Sequence, residues 1–263
     1  MCRIAAYLGP PIALSDLLFD AERSLADVAR EPRELPKGAL GADGHGVAWY
    51  AEGRAEAARY RSVLPLWADQ NLRSFAPAVR SGCVVASVRS ATQGIAVDFA
   101  NTPPFVEGAV SLVHNGELED FRASWRRPLR ASLSAEREAG VEGGTDTELV
   151  FAVFLDELAG RAPSAEALEG ALRRAIARVG ERAAAASKSA GLNLIVSGGR
   201  SLVASRVAFG REAPSLYVAR DGARGGGWVA SEPLSTAGPW QRVPERSLVA
   251  FDGAGAAPRF AAL

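Results

Sequence analysis

The sequence is poor in the residues that build disulfide frameworks and metal sites. Among its 263 residues there are two cysteines, Cys2 and Cys83, and two histidines, His45 and His114. Two cysteines cannot form a disulfide framework, and together with two histidines they make a poor set of metal ligands. We therefore predict no metal site, and we expect the protein to work in the reducing cytoplasm.

The sequence also has no excess of positive or negative charge and no long apolar run. Lys and Arg number 30, Asp and Glu number 30, and the formal net charge is +0, which gives no indication of a nucleic-acid partner or a membrane surface. No apolar run approaches the roughly 20 residues of a membrane-spanning helix. The first apolar stretch lacks a basic flank and is interrupted by Pro10 and Pro11, so we expect no signal peptide.

Apolar residues, in contrast, are plentiful. They make up 48% of the chain, enough for a sizeable core, and we predict one domain over 2–263. The order of strands, two helices and further strands predicts an α+β fold in which helices cover sheets. Strands are predicted at 3–9, 83–90, 109–116 and in the region after 192, and helices at 145–160 and 164–184. A helix capped by Ser15 is expected over 15–25, and the charged stretch 119–142 is also expected to be helical, with an exposed face.

Cys2 stands out because it directly follows the initiator methionine. If Met1 is removed, the thiol of Cys2 and a free α-amino group share one residue. Such an amine titrates at about 7.7–8.0 in model peptides, which suits it to take a proton from the thiol near neutral pH. The alternative is that Cys2 is a small buried hydrophobic residue, as free cysteines often are.

Polar residues that could accompany a nucleophile follow two predicted strands and begin a predicted helix. They are Arg89 and Thr92, then His114, Asn115 and Gly116, and finally Asp146. We expect the strand ends to converge on one site, where the Asn115 side chain and the Gly116 N–H could bind an oxyanion. Each residue also has an ordinary interpretation as a surface charge, a turn or a helix N-cap.

Five motifs in this order resemble those of the class II glutamine amidotransferases, a branch of the N-terminal-nucleophile hydrolases. They are Met-Cys at the start, ADGHG at 42–46, VRSAT at 88–92, HNG at 114–116 and TDTE at 145–148. The stretches 62–81, 193–206 and 229–234 are similar to stand-alone members of the group, so the resemblance covers essentially the whole chain. It implies a four-layer αββα sandwich.

The resemblance also implies a role for each motif. Cys2 would attack a γ-glutamyl amide with its own α-amine as base, and Asn115 and Gly116 would stabilise the oxyanion. Arg89 would bind the α-carboxylate of the glutamyl group and Asp146 its α-ammonium, with Thr92 nearby. This chemistry needs no cofactor, and the substrate is a small γ-glutamyl compound.

The rest of the chain has no room for a synthase domain that would use ammonia. The protein is therefore expected either to supply a separate synthase or to be a hydrolase in its own right. The motifs look most like those of the γ-glutamyl-hercynylcysteine sulfoxide hydrolases of ergothioneine biosynthesis. The alternative is a hydrolase that cleaves another γ-glutamyl conjugate. Ile4, Gly41 and His45 depart from the family pattern and leave the substrate beyond the glutamyl group open. The oligomeric state is also open, with a homodimer as one option.

Other interpretations concern the two histidines and the second cysteine. His114 is counted among the residues of the substrate-binding site. It could also be a catalytic base, although the α-amine makes one unnecessary, so we favour a structural hydrogen-bonding role there. His45 could contact the substrate or pack in the structure. Cys83 is expected in the core, and a papain-like pair of Cys83 and His114 would predict activity without Cys2. A fold that has lost its chemistry is a further alternative.

Overall fold

The structure is a computed structural model that describes residues 2–34, 40–92, 94–221, 225–236 and 239–263. Its strands are β1 (Arg3–Ala13), β2 (His45–Trp49), β3 (Ala58–Ser62), β4 (Arg80–Val88), β5 (Phe105–Glu107), β6 (Val110–Asn115), β7 (Ala190–Gly191), β8 (Asn193–Ser197), β9 (Ser201–Arg206), β10 (Ala208–Phe209), β11 (Tyr217–Arg220), β12 (Gly227–Ala230), β13 (Gln241–Arg242), β14 (Ser247–Asp252) and β15 (Arg259–Ala262).

The α-helices are short on the N-terminal side of the chain and longer in its middle. They are α1 (Leu14–Leu18), α2 (Leu25–Arg30), α3 (Gln70–Phe75), α4 (Arg126–Ala131), α5 (Ala135–Ala139), α6 (Asp146–Leu158) and α7 (Ala165–Ala186). A 3-10 helix covers Leu66–Ala68 and a π-helix covers Phe121–Trp125. No helix in the described part of the chain is long and apolar enough to cross a membrane.

The strands form two large antiparallel sheets. The first has seven strands in the order β13-β11-β12-β1-β4-β2-β3, and the second has six in the order β15-β14-β9-β8-β6-β5. A short ladder of β10 and β7 stands beside them. The longest strands of the first sheet, β1 and β4, pair with each other at its centre.

The alternation of side chains along β1 shows how the sheet is covered on both faces. Ala5 and Tyr7 pack in one apolar cluster with the helices α1 and α2. Ile4, Ala6 and Leu8 belong to a different cluster, which contains residues of the second sheet. Since successive side chains of a strand point to opposite faces, one face of the sheet packs on helices and the other on the second sheet.

The second sheet is covered in the same way. Leu112 of β6 packs in a cluster with α6 and α7, whereas its neighbour Val113 packs between the sheets. The layers are therefore helix, sheet, sheet and helix. The expected α+β sandwich with four αββα layers is confirmed.

Two local predictions near the start of the chain were wrong. The strand does not end at Gly9 but continues as β1 to Ala13, with a shift of register between Leu8 and Ile12. The one helix expected after Ser15 is two helices, because Ser24 starts α2 with a capping box. Its hydroxyl accepts from the Asp27 N–H at 3.2 Å, and the Asp27 carboxylate accepts from the Ser24 N–H at 3.0 Å.

The two long helices were predicted correctly. Thr145 caps α6, since its hydroxyl accepts a hydrogen bond from the Glu148 N–H at 3.1 Å. Ser164 caps α7 by accepting from the Ala167 N–H at 3.2 Å. The cap at Thr145 places Asp146 in the first turn of α6, next to the end of β6.

Candidate active site

The start of β1 and the end of β4 lie side by side. Arg3 faces Val88 in the antiparallel pairing. Cys2 precedes Arg3 and Arg89 follows Val88, so both lie one residue beyond this pair, at the same edge of the sheet. Cys2 is partly exposed there. Both residues line an open cleft of about 570 Å³, whose wall also contains 90–92, 116–123 and 145–147, with Ile95, Asn101 and Pro103.

The cleft brings together most of the predicted site. Cys2, Arg89, Thr92, Gly116 and Asp146 all line it. The prediction that the ends of β4 and β6 converge is therefore confirmed, although the two strands belong to different sheets. A volume of this size is ample for a γ-glutamyl group and a further substituent.

Arg89 is a buried cation with unused hydrogen-bonding capacity. Only 4% of the residue is exposed, and its Nη1 has no hydrogen-bond partner among the described residues. Burial lowers the pKa of the guanidinium from its ordinary value, and the acidic groups around it counteract this: Cys2, Asp43, Asp98 and Asp146. A guanidinium remains charged even so, and its planar fork matches a carboxylate. Arg89 can therefore bind a carboxylate in the cleft.

The backbone on either side of Arg89 is held by the Asp-Gly pair of the ADGHG motif. The Arg89 N–H donates to the Gly44 carbonyl at 2.8 Å, and the Asp43 N–H donates to the Arg89 carbonyl at 3.1 Å. The Asp43 carboxylate accepts from the Ala91 N–H at 2.8 Å. Gly44 has φ +106°, which disfavours other residues. The motif thus fixes the loop that carries Arg89 and Thr92.

Asp146 holds two backbone N–H groups in place and can still accept further hydrogen bonds. Its Oδ2 accepts from the Leu118 N–H at 3.0 Å and its Oδ1 from the Thr147 N–H at 2.7 Å. These bonds attach the segment after β6 to the start of α6. A carboxylate has about four lone-pair sites, so Asp146 retains capacity to accept from an ammonium in the cleft.

Asn115 ends β6 behind the cleft wall rather than in it. The residue is 0% exposed, and neither its Oδ1 nor its Nδ2 has a hydrogen-bond partner among the described residues. A buried amide without a partner costs about 1–3 kcal/mol. An unused donor next to the cleft residue Gly116 is the arrangement that an oxyanion site requires.

Gly116 cannot be replaced without moving the backbone. A Cβ built on it would lie 2.0 Å from the Gly191 carbonyl oxygen and 2.6 Å from His114 Nε2. The chain at the end of β6 therefore passes directly against the Gly191 backbone. Glycine at this position allows this close approach at the point where the chain lines the cleft.

His114 is engaged through both ring nitrogens. Its Nε2 lies 2.8 Å from the Gly191 carbonyl oxygen, which can only accept, so Nε2 donates. Its Nδ1 lies 3.1 Å from Thr147 Oγ1. Only 2% of the residue is exposed, and it is not among the cleft-lining residues. This geometry favours the structural interpretation over a base or a substrate contact.

Of the two interpretations of His45, the geometry favours packing over a substrate contact. His45 is 1% exposed, its Nδ1 donates to the Leu64 carbonyl at 2.9 Å, and its Nε2 lies 3.2 Å from Asp69 Oδ2. Burial lowers its pKa, while the Leu64 carbonyl and the Asp69 carboxylate oppose that shift. Ile4 lies in the core between the sheets, and Gly41 packs against Val88. None of these three departures from the family pattern lines the cleft.

Cys83 is part of the core, as predicted. It packs between the sheets, 3.1 Å from the hydroxyl of Ser197, and burial raises the pKa of its thiol to about 12. It contacts Ser197, whereas His114 contacts Thr147 and Gly191, so the papain-like pair of Cys83 and His114 is not assembled.

A buried ion pair next to Cys2 was not predicted from the sequence. Arg3 Nη1 lies 3.1 Å from Glu232 Oε1, and both side chains are buried. Glu232 Oε2 also lies 3.4 Å from Arg23 Nη2 and accepts from the Arg33 N–H at 2.8 Å. This network anchors the first residue of β1 and hence the position of Cys2.

Sequence analysis also missed the part of the wall formed by 117–123. The charged stretch 119–142 was expected to be helical, with Arg126, Arg127 and Arg130 on an exposed face, but its first residues, 119–123, line the cleft. The available signal was its position directly after the HNG motif. No three His, Cys, Asp or Glu side chains within the described ranges are grouped so that they could hold a metal ion.

Residues 33–222 match the family described as class-II glutamine amidotransferases. The chain belongs to this family. It is 35% identical over 251 residues to the γ-glutamyl-hercynylcysteine sulfoxide hydrolase of Mycobacterium tuberculosis, an alignment that covers 95% of this chain and 92% of the relative. The family resemblance predicted from the five motifs is thereby confirmed.

Solved structures of the class-II amidotransferase type support the fold. A glutamine aminotransferase class-II domain protein from Silicibacter pomeroyi superposes with a TM-score of 0.72 at 30% identity, covering 100% of both chains. Glutamine phosphoribosylpyrophosphate amidotransferase from B. subtilis superposes with a TM-score of 0.66 at 12% identity, over 99% of this chain and 49% of that one. The second comparison shows a shared fold alone.

Proposed function

We propose that the protein is a γ-glutamyl amidohydrolase that uses Cys2 as an N-terminal nucleophile and releases L-glutamate from γ-glutamyl-hercynylcysteine sulfoxide. The observation that carries this proposal concerns Arg89, which lines the same cleft as Cys2, Gly116 and Asp146. Its buried Nη1 has no hydrogen-bond partner within the described ranges. A cation and a carboxylate beside a thiol match the head group and the side-chain amide of a γ-glutamyl substrate.

The glutamyl group would be oriented by its α-carbon substituents. Arg89 binds the α-carboxylate, and Asp146 accepts from the α-ammonium, with Thr92 at the edge of the cleft. With both ends fixed, the γ-carbonyl carbon is presented to the thiol of Cys2. Orientation of this kind supplies a large part of the rate enhancement in amide cleavage.

The proposed reaction begins with removal of Met1, which lies outside the described residues. The freed α-amine of Cys2 takes the thiol proton, and Sγ attacks the γ-carbonyl carbon. The Gly116 N–H and Asn115 Nδ2 donate to the oxyanion that forms. The amine then returns the proton to the leaving nitrogen, the C–N bond breaks, and water hydrolyses the thioester to release glutamate.

Hydrolysis of a conjugate is favoured over ammonia supply by the extent of the comparison. The chain covers 92% of a relative whose name is that of a hydrolase, so the two proteins have nearly the same parts. The two thiols, one in the cleft and one in the core, also fit the reducing cytoplasm, where we place the reaction.

Glutamate release tests the proposal. The purified protein, with loss of Met1 verified by intact mass, is incubated with γ-glutamyl-hercynylcysteine sulfoxide or with glutamine. We expect kcat/KM to be higher for the conjugate. Release from glutamine alone would instead indicate a glutaminase that serves a separate synthase, and release from neither would overturn the enzymatic assignment.

Variants of the two cysteines provide the matched control. Cys2→Ala should lose all measurable glutamate release, whereas Cys83→Ala should retain it, because Cys83 lies in the core. Activity that persists in Cys2→Ala would contradict the N-terminal nucleophile.

A further inference from the structure

Among the described residues that line the cleft, one cation besides Arg89 has no part in the proposed binding of the glutamyl group. Arg122 belongs to the segment after β6 that lines the cleft, and it is exposed to solvent. Its Nη1 donates to the Gly94 carbonyl at 2.9 Å, which leaves most of its five N–H donors free. Arg122 forms no ion pair with any carboxylate of the described residues.

The other charged residues in this wall are already matched by partners outside it. Glu117 pairs with Arg211, and Asp120 pairs with Lys188. Glu119 Oε1 lies 3.6 Å from the same Lys188 amine. Within 117–123, Arg122 is therefore the charged side chain that forms no ion pair with the described residues, and its guanidinium can interact with a ligand.

The backbone that carries Arg122 has an unusual conformation. Asp120 adopts φ +53°, in the left-handed region that residues other than glycine seldom occupy. Phe121–Trp125 follows as a π-helix, a form that is rare and often found at functional sites. Trp125 is fully buried and its Nε1 donates to the Glu119 carbonyl at 2.7 Å, which locks this turn. A costly conformation that is held in place by packing suggests selection for where Arg122 points.

We propose that Arg122 binds the α-carboxylate of the leaving group and so selects γ-glutamyl conjugates of amino acids; this rests on the proposed function. In γ-glutamyl-hercynylcysteine sulfoxide the scissile nitrogen belongs to a cysteine unit, whose α-carbon carries a carboxylate. Ammonia, the leaving group of glutamine, has none. Arg89 and Arg122 thus bind the two carboxylates on either side of the scissile amide, one in each half of the substrate.

The test compares two substrates that differ only in this carboxylate. One is an S-substituted γ-glutamyl-cysteine, and the other is the corresponding γ-glutamyl-cysteamine, which lacks it. We expect Arg122→Ala to lower kcat/KM for the first about 10- to 100-fold, mainly through KM, since hydrogen bonds to charged groups are of that strength. The same change should alter kcat/KM for the second less than about threefold. Arg122→Lys should recover part of the loss.

Arg127→Ala is the matched control, because Arg127 is an exposed arginine on the adjoining helix α4 and does not line the cleft. It should leave both substrates unaffected. Equal losses for both substrates in Arg122→Ala would overturn the inference and indicate a structural role through Gly94. No loss for either would overturn it too, while the proposed function would stand. If the unaltered protein releases glutamate from none of these three compounds, the proposed function is overturned, and this inference with it.

Discussion

At the scale of single residues, two buried polar groups decide how the cleft can be used. The side-chain amide of Asn115 and the Nη1 of Arg89 have no hydrogen-bond partner among the described residues. Both are buried, so the free protein bears a desolvation cost that a suitable ligand would remove. Each group is therefore expected to affect the handling of substrate more than stability.

For Asn115 the expected effect is on the chemical step. Asn115→Ala should lower kcat about 100- to 1,000-fold with little change in KM, because the donor is needed mainly when the oxyanion forms. Steady-state glutamate release measures both constants. The buried Asn193, whose Nδ2 donates to the Pro214 carbonyl at 2.9 Å and the Ser215 carbonyl at 3.0 Å, serves as control. Asn193→Ala should lower the unfolding free energy and reduce kcat less than tenfold; the reverse pattern would exclude Asn115 as an oxyanion donor.

For Arg89 the expected effect is on binding. Arg89→Lys keeps the charge but loses the bidentate fork, so kcat/KM for the γ-glutamyl substrate should fall about 10- to 100-fold. Calorimetric titration with L-glutamate should show the same loss of affinity. Arg80, at the other end of β4, donates to the Pro11 carbonyl at 2.8 Å and provides the control. If Arg80→Lys weakens glutamate binding as much as Arg89→Lys, the carboxylate site is elsewhere.

Local sequence identified these residues but not what holds them. All four cleft residues lie at the ends of recognisable elements, so their convergence could be predicted from strand and helix boundaries: Cys2, Arg89, Gly116 and Asp146. The Arg3–Glu232 ion pair could not, because its partners are 229 positions apart and nothing local requires either to be buried. For His45 the sequence left a substrate contact and packing open, and its burial could not be predicted from the motif that contains it.

At the scale of elements, β1 is stabilised at the end next to Cys2. Glu232 receives Arg3 and the Arg33 N–H in a buried setting, so it connects the start of β1 with the segment after α2. The helix patterns were predictable because apolar periodicity and caps at Thr145 and Ser164 are local. The shift of register in β1 was not, since pairing across the sheet maintains the strand past Pro10.

Removal of Glu232 should destabilise the protein strongly. Glu232→Ala leaves the Arg3 charge buried without its carboxylate, and loss of one partner of a buried pair costs about 3–5 kcal/mol. Urea unfolding measures the change in the free energy of unfolding. Glu138, which pairs with Arg130 at 3.5 Å on the surface, is the control, and Glu138→Ala should cost less than about 1 kcal/mol. Similar costs for the two variants would mean that Glu232 does not stabilise β1 as inferred.

At the scale of the whole molecule, the two sheets meet differently at their two ends. At one end β4 and β6 finish at the cleft, with Arg89 and Gly116. At the other end a polar cluster connects the sheets, where Tyr50 Oη lies 2.9 Å from Ser111 Oγ and donates to the Ser197 carbonyl at 3.0 Å. The candidate site and this polar cluster therefore lie at opposite ends of the sheets.

Tyr50→Phe should lower stability without lowering activity. Loss of the hydroxyl leaves buried partners on Ser111 and Ser197 unsatisfied, so the free energy of unfolding should fall by about 1–3 kcal/mol. The kcat/KM for glutamate release at 25 °C should stay within about twofold, because Tyr50 follows β2 at the end remote from Arg89. Thermal unfolding and steady-state kinetics on one preparation give both numbers. A parallel loss of activity would show that the two ends are coupled.

The burial of Cys83 has a practical consequence. Its thiol lies in the core and has a raised pKa, whereas the thiol of Cys2 is partly exposed at the cleft. Of the two cysteines, Cys2 is therefore the one that an electrophile can reach. A maleimide or a γ-glutamyl-like diazoketone should therefore add once per folded molecule. The number of molecules labelled would count competent sites in a preparation, and protection by L-glutamate would report how many are occupied.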